Sequence, residues 1–169
     1  MGFHKYSLPC ERYEYNKRVG EILPKTLAVV LTNLGFKAEV NPLQANDVDQ
    51  WVYRSNRLTI AAEILNWSIR SWLSNSRKRW IIRNLCRYKC ERVLIHSVPN
   101  RNIDEVFAKN NIDTVCIGFQ LLPIEFYEFF LQRGQVIRRK PLSTEVVEEI
   151  RCIIENYLTK AHARRTLKH

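Results

Sequence analysis

The chain has 169 residues, with 27 Lys and Arg against 17 Asp and Glu, and its formal net charge of +10 makes a polyanion the first partner to consider. Apolar residues at 46% and charged residues at 26% are ordinary globular usage, which excludes disordered, collagen-like and coiled-coil classes and describes a single domain (1–169) able to bury a core without metal or disulfides. The five glycines are too scattered to build a phosphate-cradling loop, so Walker-type and dinucleotide-type nucleotide binding are excluded.

From Tyr15 to Leu34 the apolar positions Val19, Ile22, Leu23, Leu27, Val30, Leu31 and Leu34 recur at helical spacing, with Gly35 as C-terminal cap and Pro24 inside the pattern. The helix therefore either begins near Gly20, which puts Pro24 in its first turn, or bends there. Phe36–Val40, Asp47–Tyr53 and Leu58–Trp67 read as three strands, the last two joined by the turn Arg54-Ser55-Asn56-Arg57. A long helix is predicted over 68–89, then a strand buried on both faces at Val93–Val98, a short helix at Ile103–Lys109 and a second buried strand at Thr114–Phe119. This order, α-β-β-β-α-β-α-β, predicts an α/β fold with a mixed central sheet flanked by helices. Extra C-terminal helices follow at Ile124–Leu131 and Thr144–Leu158, and a basic tail at 159–169 is expected to fray.

In a hairpin of the second and third strands, an acid near the start of one lies beside an acid near the end of the other. Asp47 or Asp49 thus converges with Glu63, which stands within an otherwise apolar run. A divalent cation, Mg²⁺ or Mn²⁺, relieves the cost of burying such carboxylates, and a basic protein with a carboxylate metal site is a candidate phosphodiesterase. Cys86, Cys90 and His96 read as packing residues rather than a zinc site, since the two cysteines fall at helical spacing. The odd cysteine count, the absence of C-x-x-C spacing and the lack of a signal peptide point to a reducing cytoplasm, and no apolar run approaches the ~20 residues of a membrane span.

The acidic hairpin between a first helix and a basic helix, followed by two buried strands with a helix between, resembles the PD-(D/E)xK nuclease superfamily. This is the restriction-endonuclease-like fold that includes archaeal Holliday junction resolvases, and the resemblance covers a core at 15–119, leaving 120–158 as a C-terminal helical extension. It implies a metal-dependent DNA endonuclease in which Asp49 (or Asp47) and Glu63 are metal ligands and Glu21, on the first helix, is an accessory acid. The family signature of acid, any residue, lysine reads here Glu63-Ile64-Leu65, with leucine in the lysine's place. Three readings follow: Asn66 substitutes in part, a cation from the next helix (Arg70, Arg77 or Lys78) takes the role, or the protein binds nucleic acid without cutting it.

The predicted helix over 68–89 carries Arg70, Arg77, Lys78, Arg79, Arg83, Arg87 and Lys89 and no acid, which suggests a surface for phosphates. Arg133, Arg138, Arg139 and Lys140 form a second cluster, and the intervening Phe126, Tyr127, Phe129 and Phe130 read as core or as a homodimer contact within 119–131. The expected partner is branched or duplex DNA. A non-catalytic DNA-binding protein on the same fold, or an RNA-binding or processing factor, is the alternative.

Overall fold

The computed structural model describes residues 8–40, 50–99 and 103–167. Helix α1 (Arg12–Asn33) is followed by strands β1 (Lys37–Val40), β2 (Gln50–Arg54) and β3 (Thr59–Leu65), helix α2 (Asn75–Leu85), strand β4 (Glu91–His96), helix α3 (Ile103–Ala108) and strand β5 (Asp113–Cys116). The chain then forms β6 (Gln120–Leu122), α4 (Ile124–Leu131), β7 (Arg139–Pro141) and α5 (Thr144–Leu167). The central sheet has the order β1-β2-β3-β4-β5, antiparallel from β1 to β3 and parallel from β3 to β5. The expected mixed α/β sheet flanked by helices is therefore present.

Strand alternation sorts the side chains to two covered faces. Tyr53, Ile60, Ala62, Ile64, Val93 and Ile95 meet α1 and α5 on one face, whereas Val52, Ala61 and Leu94 meet Leu73, Ile81, Leu85 and Phe107 on the other. The two parallel crossovers, through α2 and α3, lie on that second face. With both faces covered, β3 is buried along its middle five residues, which explains its almost continuous apolar run.

Several elements differ from their sequence reading. Helix α1 starts at Arg12 and not near Gly20, so of the two alternatives it is the helix running through Pro24 that forms. Its end matches expectation: Gly35 has φ +92°, and bonds of 2.9 Å from Phe36 N to Leu31 O and 3.0 Å from Gly35 N to Thr32 O close a Schellman cap. The helix predicted over 68–89 is confined to Asn75–Leu85. Serines 68, 71 and 74 interrupt the segment, and serine hydroxyls compete for backbone groups; Ser71 N donates to Ser68 O, and Ser74 caps α2 by accepting from Arg77 N.

At the other end, the frayed tail is replaced by helix. Ala161 is fully buried, and Arg164 bonds Asp113 at 3.1 Å and Glu91 at 3.1 Å, fixing α5 across the starts of β4 and β5. The C-terminal region is more than a helical extension. Residues Val146, Ile150, Ile154 and Leu158 of α5 complete the main core beside α1, and β6 and β7 pair as a small parallel sheet that the sequence reading lacked.

Candidate nucleic-acid interface

Glu63 is the one acid on β3, and its side chain is fully buried. The register of the hairpin places Gln50 directly opposite it. Paired residues share a face with Cβ atoms roughly 5 Å apart, so an amide stands beside the carboxylate. Asp47 and Asp49, the expected partners, lie outside the described residues. From α2 the Arg77 guanidinium comes to 3.7 Å of the Glu63 carboxylate, while also lying 4.5 Å over the Trp80 ring. A buried carboxylate has thus gained a cation on the helix covering its face, which offsets part of its desolvation cost.

The position to which the resemblance assigns a lysine is filled by Leu65, half-buried at the end of β3. Across from it on β4 is His96. His96 is buried, donates through Nδ1 to Val98 O at 2.9 Å, and has no partner for Nε2 among the described residues. Burial depresses its basicity below the ordinary imidazole value. Asn66 does not serve Glu63. Its amide donates to Val19 O at 2.8 Å and Leu121 O at 2.7 Å and accepts from Leu121 N at 2.9 Å, tying β3 to α1 and β6.

Glu21 does not join Glu63 either. Helix α1 packs on the opposite face of the sheet, where Glu21 pairs with Lys25 at 3.1 Å. Among the described residues no three His, Cys, Asp or Glu side chains gather as metal ligands, and Cys90 and His96 sit at opposite ends of β4. Among the described residues the position thus offers one carboxylate, with a guanidinium 3.7 Å away competing with any cation for it, and one amide.

The cations are arranged more tellingly. Arg70 is exposed in the turn before α2, and Lys78 is half-buried on the helix. Arg79, Arg83 and Arg87 are exposed at intervals of four residues, so they form one stripe that continues past the helix end. None of these three has a salt bridge among the described residues. Positive charge without acidic partners suits a polyanion's evenly spaced phosphates.

Two of the crowded aromatic residues, Phe126 and Phe130, are buried with Val19 and Leu122 in a small core between α1 and α4. Tyr15 contacts both, at centroid distances of 5.1 and 6.2 Å. The apolar bulk that suggested a homodimer contact over 119–131 is therefore largely spent within the chain. Sequence reading missed Gln50 as the residue opposite Glu63, although counting back from the Ser55 turn gives that register. Trp72 falls within the helix predicted over 68–89, whereas the structure displays it outside any helix and 80% exposed.

No protein-family model, curated protein or solved structure was found to match the chain. No helix among the described residues is long and apolar enough to cross a membrane.

Proposed function

We propose that the chain is a DNA-binding protein on a core resembling PD-(D/E)xK nucleases, in which Glu63 is held by Arg77 and binding is separated from cleavage. The observation that carries this reading is the exposed stripe Arg79, Arg83 and Arg87, free of salt bridges among the described residues, on and just past the helix that follows the acid-bearing strand. The element order supports the architecture: a helix, three antiparallel strands, a basic helix, then a strand parallel to the third. Leu65 at the lysine position and the neutral Gln50 opposite Glu63 support binding without hydrolysis, because neither supplies a charge for a developing phosphorane.

A second reading, Mg²⁺- or Mn²⁺-dependent hydrolysis with Glu63 and Asp49 or Asp47 as ligands, is favoured by one feature. Both aspartates closely precede the Gln50 that pairs with Glu63. Incubating wild type and Glu63→Gln with duplex, branched and single-stranded DNA in Mg²⁺ or Mn²⁺ separates the two. The DNA-binding reading expects a shifted complex and intact DNA; metal-dependent cleavage lost in Glu63→Gln establishes the second reading instead.

A further inference from the structure

Beyond the helix stripe, two adjoining cavities of about 460 and 520 Å³ run from the end of β3 to α4 and share Leu8, Phe130 and Arg139. Among the described residues, no acidic side chain lines either of them. Their cations include Arg70, Arg133 and Arg139, and the last two are held flat against aromatic rings. The Arg133 guanidinium lies 3.5 Å over Phe129 and that of Arg139 lies 3.9 Å over Phe130, with Arg139 Nε donating to Gln120 Oε1 at 3.1 Å. Burial disfavours the charge on Arg139, with Tyr15 opposing that effect and the neighbouring Arg70 adding to it.

Ile69 lines the second cavity, and three residues further on the same segment displays Trp72 in solvent. Trp72 is 80% exposed and Ile69 50% exposed. Their turn is nevertheless firmly anchored. Leu73 is buried beneath α2, and Ser97 Oγ donates to Trp67 O at 2.6 Å while accepting from Trp67 N at 2.8 Å. The anchored segment therefore holds an aromatic ring in solvent, in sequence between the groove-lining Arg70 and the Ser74 cap of α2. Cations that track a backbone, combined with rings on which bases stack, are the chemistry by which proteins hold single-stranded nucleic acid.

We infer that this groove holds a single strand of DNA continuing from a duplex bound on α2, with Trp72 stacking on a base where strand leaves duplex. The inference rests on the DNA-binding reading and adds its substrate class, a duplex with a single-stranded arm. A duplex alone would leave the groove and Trp72 unused, since its bases are already stacked.

Fluorescence anisotropy with the full chain provides the test, comparing a blunt duplex with the same duplex carrying a single-stranded arm. Wild type is expected to bind the armed DNA about tenfold more tightly, and Trp72→Ala to remove about that factor, the contribution of one stacked base. Blunt-duplex affinity and thermal unfolding should not change in Trp72→Ala. Arg133→Ala should likewise weaken the armed DNA selectively, whereas Arg79→Ala should weaken both DNAs. Equal wild-type affinity for the two DNAs, or an equal loss on both in Trp72→Ala, overturns the groove assignment while leaving DNA binding in place. Binding to neither DNA at low salt overturns both.

Discussion

Glu63 and Arg77 form an unequal pair, the carboxylate fully buried and the guanidinium side chain 40% exposed. Solvent screens the exposed partner, so the attraction is worth less than that of a fully buried pair, yet removing the cation still leaves a desolvated charge behind. Arg77→Ala is expected to lower unfolding stability by about 2 kcal/mol, and Glu63→Gln in the same chain to restore much of the loss; denaturant unfolding measures both. Equal effects of the single and double variants would contradict the pairing. His96 supplies a second residue-level expectation. Its folded-state pKa is depressed by burial, so as pH falls below the ordinary imidazole value of 6.5 the unfolded chain takes up a proton that the folded chain refuses. Stability should therefore be full above that pH and decline below it. His96→Asn, whose amide can still reach Val98 O, should lack this component when unfolding is compared at about pH 5.5 and 7.5.

Among the elements, periodicity made α4 and the starts of α3 and α5 legible, and Gly35 marked the end of α1 correctly. Periodicity failed where tertiary contacts or capping chemistry decided the outcome. Apolar residues at 69, 72 and 73 continue the α2 pattern in sequence, but the serines at 68, 71 and 74 end it, turning Leu73 inward and Trp72 outward. In α5 the converse happened: a polar, basic segment became helix because Ala161 is buried and Arg164 bonds acids far away in sequence. The strands β6 and β7 are three residues each and pair across α4, so nothing local announces them. A chain lacking residues 159–169 should lose at least about 2 kcal/mol of stability through the exposed core around Ala161 and the stranded carboxylates of Asp113 and Glu91, measurable as a lower midpoint in urea. A midpoint equal to that of the full chain would return these residues to the role of a tail.

Over the molecule as a whole, the net charge of +10 is divided by use. Some cations are structural: Arg164 secures α5, Arg77 meets Glu63, and Lys140 pairs with Glu149 at 2.8 Å. Others, Arg79, Arg83 and Arg87 along and just past α2, and Arg70, Arg133 and Arg139 in one cavity, have no acid partner among the described residues. Composition indicated a polyanion and the run of cations after the third strand was visible in sequence, but their separation into two surfaces was not. It depends on α2 beginning at the Ser74 cap and on α4 folding back beneath α1. Of the candidate acids, Glu63 was legible because its burial follows from an apolar run, whereas the placement of Glu21 across the sheet required the packing of α1. If duplex DNA is held by the α2 stripe, the salt dependence of its binding must report the charges of that stripe. Wild type should show a steep fall of log K with log salt, and the Arg79→Ala/Arg83→Ala variant a slope shallower by about two, one for each phosphate that its arginine no longer neutralises. A slope unchanged by removing both arginines would contradict binding through α2.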